Sequence, residues 1–326
     1  MKALVLQNGQ LNVQEIETPA LGPDDVSVQL KVAGLNRRDL YIPSRVGNED
    51  TPLILGSDGA GIVDTVGENV TNWKPGDEVI INPALRWDRN SDAPPAGFDI
   101  LGMPDHGTIA EKIVIDKNQL QHKPAYLSWE EAGVLALAAL TGYRALVTKG
   151  QVKEGETVFI PGAGSGVATY MIQFAKALGA KVIVTSRSAQ KREAALKIGA
   201  DIALDTSDDW VVALQAEKID LVIDSVGRAT FNRSLDVLRH GGRMVVFGAT
   251  TEDIVNIDIR KFFYAQQQIL GSTMGSREEL EELLTLMEEK EIRPVVGHTY
   301  ELENIKEAME LLEVNDQFGK IAIAIN

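Results

Sequence analysis

Short apolar runs separated by turn residues fill the first third of the chain. "KALVL", "DVSVQLKVAGL", "AGIVDTVG" and "DEVIIN" have the length and β-branched content of strands. A Pro-Gly turn in "KPGDEV" feeds the last of them. The pattern predicts a mostly antiparallel, β-rich region. "GSDGAG", residues 56–61, reads as a glycine-rich turn holding one acid. Residues 84–107 are turn-rich and without sustained periodicity, so a long surface loop is expected there.

Near Pro124 the texture changes. "SWEEAGVLALAALTGYRALVTKG" predicts a helix opened by a Ser128 N-cap with Glu131 at its third position, a capping box. Strands then alternate with helices: "ETVFIPG", "KVIVTS", "IDLVIDSVG", "GRMVVFG" and "QQILGSTMG" as strands, "GVATYMIQFAKALGA" and "SAQKREAALKIGA" as helices. Continuously apolar strands alternating with helices imply a parallel, doubly wound sheet covered on both faces. The tail carries an acidic helix from "REELEELLTLMEEKEI", an extended "RPVVGHTYELE", a helix "NIKEAMELLE" and a last strand "KIAIAIN".

Composition narrows the partners. A net charge of −15 over 326 residues speaks against nucleic acid and anionic membranes, which require basic surfaces. The apolar run around 132–146 is too short and interrupted to span a bilayer, and the N-terminal stretch lacks signal-peptide character, so a cytoplasmic protein is expected. With no cysteine, disulfides and thiolate–metal sites are excluded. A small-molecule partner remains.

The densest chemical signal is "TVFIPGAGSGVATYMIQFAKALGA". Gly162, Ala163, Gly164, Ser165, Gly166 and Val167 lie between a buried strand and an amphipathic helix. There a tight turn lets pyrophosphate approach the helix N-terminus. The strict G-x-G-x-x-G spacing is not met; Ala168 follows instead. Glycine-rich strand–helix turns also occur with no ligand, but the strand–turn–helix–strand context makes dinucleotide binding the expectation here. At the end of the next strand, "VTSRSAQK" has no carboxylate to accept ribose hydroxyls and repel a 2′-phosphate. Ser186, Arg187 and Lys191 offer donors and positive charge there, which favours NADPH over NADH. The plainer alternative makes Arg187 and Lys191 ordinary exposed residues of a helix start.

These segments, with "VAGLNRRDLY", "LGSDGAGIVDTVG", "KPGDEV", "LTGYRAL", "LRHGGRMVVFG" and "GKIAIAI", resemble the medium-chain dehydrogenase/reductase superfamily along essentially the whole chain. The resemblance implies an α/β protein. A GroES-like, β-rich substrate domain (1–124 and 276–326) accompanies a Rossmann domain (125–275), with the active site in the cleft between. Zinc-dependent members carry a cysteine ligand in "G-x-C-x-x-D" and a His-Glu pair in "G-H-E". Here Asn36 stands at the cysteine position, Ser57 at the histidine and Asp58 at the acid. Residues 84–107 resemble the insertion that carries four zinc-binding cysteines elsewhere, but hold none. No metal is expected. His106, His122, His240 and His298 fall at no ligand spacing. Asp58 is expected to be a structural acid, with a surviving ligand as the alternative.

What remains is similar to the zinc-free quinone oxidoreductase branch. That implies Asn36 and Tyr41 face nicotinamide and substrate, with Asp39 structural. A locally packed aromatic is the competing reading of Tyr41. Thr141, Phe247, Gly248 and the "GSTMG" stretch with Thr273 and Met274 are implied to lie near the nicotinamide. Helix packing and strand-end turns are their plain alternatives. Without a Lewis acid, quinones and α,β-unsaturated carbonyls are the expected hydride acceptors, because conjugation spreads the developing charge. An alcohol or aldehyde dehydrogenase and a non-catalytic NADPH-binding protein are the rivals. The resemblance also implies a homodimer or homotetramer, paired through the edge strand near 267–273.

Overall fold

The structure, a computed structural model, describes residues 1–325. The chain forms two compact units: Met1–Leu140 together with the segment from Gly275 onward, and Thr141–Met274.

The first unit is built on a seven-stranded sheet. The strands run in the order Leu120–His122, Glu78–Ile81, Asp58–Val66, Asp25–Leu35, Lys320–Ala324, Val296–Glu301, with Lys112–Asp116 also pairing Asp25–Leu35. All pairings are antiparallel except that of the last two strands in this order. A smaller sheet joins Gln10–Glu15, Lys2–Gln7 and Leu53–Ile54. Leu4, Leu6, Val28, Leu30, Val63, Val79, Ile81, Ile321 and Ile323 fill the core between them. Alternation along "DVSVQLKV" explains the arrangement, since one face of a half-covered strand must be apolar.

The expected turn at "GSDGAG" is largely strand. Gly56 turns, with φ +102°, and Asp58–Val66 is paired with Asp25–Leu35 at every residue but Asp64, which a register shift skips. Gly61 belongs there for lack of room: a Cβ on it would lie 2.2 Å from the Gln29 carbonyl oxygen. The ladder between Asp25–Leu35 and Asp58–Val66 shifts register between Leu30 and Val32, next to the Leu30–Gly61 pair where this close approach occurs.

The 84–107 loop is also more ordered than its composition suggests. Ala84–Leu85 pairs with Asp99–Ile100. Arg86 donates to the Gly97 carbonyl (2.7 Å), Asp99 (2.6 Å) and Asp105 (3.2 Å), and Trp87 packs edge-on against Phe98. One guanidinium with its fixed fork of donors braces three points of the loop.

The helix expected after Ser128 starts as foreseen, with the Ser128–Glu131 capping box, but runs only over Trp129–Gly133. It restarts at Ala136–Tyr143 and ends in a π-helical segment, Arg144–Lys149. Gly133 lies directly on Val32, where an added Cβ would come within 2.5 Å of Cγ1. That close contact with strand Asp25–Leu35 puts residues 125–140 in the first unit, whereas their helical texture had grouped them with the second.

The second unit is a six-stranded parallel sheet in the order Ile202–Asp205, Lys181–Ser186, Thr157–Pro161, Ile219–Asp224, Leu238–Val246, Gln268–Gly271. Numbered by appearance within the unit, this is 3-2-1-4-5-6, the Rossmann order. Phe159, Ile183, Trp210, Val222, Phe231 and Met244 form a core on the sheet. Among the described residues, no helix is long and apolar enough to cross a membrane.

Candidate active site

In an open parallel sheet, ligands bind beyond the carboxyl ends of the strands, where the strand order reverses. In the second unit that point falls between Thr157–Pro161 and Ile219–Asp224. The glycine-rich loop leaves the first of these strands there. Gly162 takes φ +89°, a conformation open to glycine, and the Gly162 and Ala163 amides bond the Thr185 carbonyl (3.2 and 2.8 Å). Ser165 caps helix Gly166–Ala177 by accepting from the Ala168 amide (3.1 Å). The positive end of that helix, with Val167 in its first turn, therefore opens beside the loop.

The residues expected to choose the cofactor gather at the same edge. Ser186 ends its strand buried, and its hydroxyl accepts from the Ser188 amide (3.2 Å). Lys191 lies over the loop: a Cβ on Gly164 would sit 2.7 Å from Lys191 Cδ and 3.3 Å from Nζ. Arg187 is exposed. Arg192 is tied up, donating to the Ser186 carbonyl and to Asp205 (both 2.7 Å). Phe247 and Gly248 follow strand Leu238–Val246 at this edge, where the Phe247 amide bonds the Asp224 carbonyl (3.2 Å). Thr141 and Met274 are brought together, with Thr141 Oγ1 3.7 Å from the Met274 sulfur. Thr273 beside them is exposed.

In the first unit, strand Asp25–Leu35 delivers Asn36 to the start of a short 3-10 turn, Arg37–Leu40. Every polar atom of Asn36 is engaged by neighbours. Its backbone N–H donates to Asp39 Oδ2 (2.8 Å) and its Oδ1 accepts from Lys320 Nζ (2.6 Å). Its Nδ2 donates to Asp58 Oδ2 (2.9 Å) and, at long range, to the Gly34 carbonyl (3.4 Å). Asp58 also accepts from Lys320 Nζ (2.9 Å), and its Oδ1 takes the Leu137 amide (2.6 Å) at the start of helix Ala136–Tyr143. Lys320 and Asp58 are 4% and 0% exposed, so the pair is desolvated, and removing one partner alone costs about 3–5 kcal/mol. Asp39 is fully buried, and one of its oxygens has no partner; burial pushes its carboxyl up to about 6.

Ser57 bonds the Leu101 carbonyl (2.7 Å) and accepts from Arg38 Nη1 (2.6 Å), which also donates to Leu101 (2.7 Å). Arg38 thus ties the 84–107 loop to the floor holding Asn36. Tyr41 follows on the same turn, 44% exposed, with its backbone carbonyl accepting from Ser44 (2.8 Å). Sequence reasoning missed Lys320 and Arg38. A lysine opening the fully apolar "KIAIAI" was the available signal, since a buried strand seldom begins with an ammonium unless a partner waits for it.

Two family models match the chain: an alcohol dehydrogenase GroES-like domain over residues 22–125 and a zinc-binding dehydrogenase domain over 166–289. A zinc-type alcohol dehydrogenase-like protein of Schizosaccharomyces pombe is 33% identical, covering 97% of this chain and 96% of its own. An acryloyl-coenzyme A reductase of Sulfurisphaera tokodaii is 31% identical, covering 99% of each. The chain belongs to the medium-chain dehydrogenase/reductase superfamily. Solved members of similar shape include an NAD-dependent alcohol dehydrogenase (TM-score 0.93, 36% identity, all of both chains). A 2-octenoyl-CoA carboxylase reductase in complex with NADP and 2-octenoyl-CoA has a TM-score of 0.88 at 28% identity, covering 99% of this chain and 87% of its own.

The zinc in one family description does not suit the residues present in this superfamily member. Catalytic zinc is held by three thiolate, imidazole or carboxylate ligands. Asn36 and Ser57 are neutral, and both oxygens of Asp58, the one carboxylate among the three positions, already have partners. The Lys320 ammonium points at the oxygens a metal would need. Of the four histidines, His106 accepts from the Ile54 amide (3.2 Å), His122 packs at a tilt against Trp73, and the other two are exposed. Among the described residues, no group of three or more His, Cys, Asp or Glu could hold a metal ion.

Proposed function

We propose that this superfamily member is a zinc-independent, NADPH-dependent oxidoreductase. It reduces quinones or α,β-unsaturated carbonyl compounds, enoyl thioesters among them. The observation that carries the reading is the closed cluster of Asn36, Asp58 and Lys320 in the place of a Lewis acid. The acid-free strand end bearing Ser186, Arg187 and Lys191 supports NADPH, as does the NADP complex of the octenoyl-CoA relative.

NADPH supplies a hydride when bound. The glycine loop and the N-terminus of helix Gly166–Ala177 would hold its pyrophosphate, and Arg187 and Lys191 its 2′-phosphate. Tyr41 and Asn36 orient the acceptor by donating to its carbonyl oxygen, where negative charge grows as hydride arrives at the conjugated carbon. Tyr41 has its ring at the surface and is free to meet a substrate. A proton from solvent then completes the product, on the α-carbon of an enone or, where a quinone takes the hydride at one carbonyl oxygen, on its other oxygen.

The test is oxidation of NADPH and NADH with quinones, enones and crotonyl thioesters as acceptors. Turnover with NADPH preferred and at least one conjugated acceptor reduced is expected. No turnover on any acceptor, with NADPH still bound, would favour a non-catalytic binding protein. Alcohol oxidation with NAD, as named for one similar structure, is the second reading. It would be favoured by turnover of simple alcohols alone.

The active form is a homodimer or homotetramer on this reading. Gln268–Gly271 is one of the two edge strands of the second unit, and Ile259, Phe263 and Tyr264, on the helix preceding it in sequence, are exposed apolar residues. An open edge and an apolar patch both invite a second copy. A monomer mass in solution light scattering would contradict it.

A further inference from the structure

We propose that Lys320, with Asp58, is a positioning residue that decides which edge of the Asn36 carboxamide is offered as a hydrogen-bond donor. The ammonium has three protons and three acceptors: the Leu35 carbonyl (2.9 Å), Asn36 Oδ1 (2.6 Å) and Asp58 Oδ2 (2.9 Å). Turning the Asn36 amide by half a revolution would set its NH2 against the ammonium and its oxygen against the carboxylate. Both contacts would be repulsive, so only one orientation survives. In that orientation one Nδ2 proton goes to Asp58, while the other reaches the Gly34 carbonyl only at 3.4 Å. This weakly bound proton is the one a carbonyl oxygen of a substrate can take.

The turn itself needs neither charge. Asp39 already accepts the Asn36 backbone N–H (2.8 Å). A buried ion pair is commonly no more stable than apolar residues in its place, so stability alone does not account for this one. Backbone register puts Lys320 where it acts: Ile321 pairs with Leu35, setting Lys320 beside Asn36 at the end of the ladder. Only the kinetic arm of the test rests on the reductase reading.

Three forms are compared with the native protein: Lys320→Met, Lys320→Met/Asp58→Asn, and Lys320→Cys. The thiol of the last is the only one in the chain, so 2-bromoethylamine under denaturing conditions, then refolding, rebuilds a lysine-like side chain there. Lys320→Met is expected to lower kcat for enone reduction about 100-fold, with NADPH Kd changed less than about twofold. The double variant is expected to regain the thermal midpoint but not kcat. Aminoethylated Lys320→Cys is expected to recover kcat to within about fivefold of a native control refolded alongside.

If the double variant regains kcat together with stability, Lys320 is merely a counter-ion and the inference is overturned. A Lys320→Met kcat within about threefold of native overturns it too. Should the native protein reduce nothing, the reductase reading fails separately. The Asn36 side-chain NH2 signals in nitrogen-15 NMR, assigned by their loss in Asn36→Ser, then decide. Shifted and exchange-broadened signals in Lys320→Met support the inference; unchanged signals overturn it.

Discussion

Asp39 stores a pH-dependent penalty that one substitution should release. Its side chain is fully buried, one oxygen accepts the Asn36 amide, and the other has no partner. Burial raises its pKa from 3.8 to about 6. Below about pH 4 the group is protonated in both the folded and unfolded chains. Between about 4 and 6 the unfolded chain has released the proton and the folded chain still binds it, so stability falls as pH rises. Above that window both forms are ionised and the full penalty stands. A shift of about 2 units corresponds to about 3 kcal/mol. Asp39→Asn keeps an acceptor for Asn36 and removes the titration. The variant should therefore gain about 3 kcal/mol relative to native between pH 4 and pH 7. The assay is urea unfolding followed by tryptophan fluorescence in a Trp210→Phe background, which leaves Trp73, Trp87 and Trp129, all in the first unit. Taking the difference between the two proteins cancels the other carboxylates, several of which are held below their usual range by ion pairs and act in the opposite sense. A difference that stays flat over this range, or grows as pH falls, would refute the reasoning.

Two further outcomes follow from the geometry. Arg187→Ala and Lys191→Ala should each raise the NADPH Kd about tenfold, ~1.4 kcal/mol, and leave NADH within about twofold, as measured by cofactor fluorescence; equal losses for both cofactors would contradict the assignment. Gly61→Ala should destabilise the first unit by about 3 kcal/mol or more, because its Cβ would lie 2.2 Å from a backbone oxygen that cannot rotate away. Urea midpoints within error of native would contradict that.

The parallel sheet was legible because its strands are apolar on both faces and punctuated by helices of period 3.6. The glycine-rich turn between strand and helix was legible because its glycines sit between two such elements. "GSDGAG" misled, since glycine signals both a turn and a close approach of strands, and only the pairing with Asp25–Leu35 separates the two at Gly61. Residues 125–140 have helical texture wherever they pack, and their docking on Val32 depends on the missing side chain of Gly133. That Asn36 and Ser57 are neutral residues, unsuited to ligating zinc, was legible. Their meeting with Lys320 was not, because Lys320 lies 284 residues from Asn36 and reaches it only through the Ile321–Leu35 register.

Hydride transfer to a conjugated acceptor without a metal, as proposed, can be measured in a single sample. The protein is dialysed against 1,10-phenanthroline, its metal content is measured by mass spectrometry, and NADPH-dependent reduction of an enone or crotonyl thioester is followed in the same sample. Undiminished turnover at a metal content far below one ion per chain is predicted. Activity that disappears with the metal and returns with stoichiometric zinc would contradict the claim.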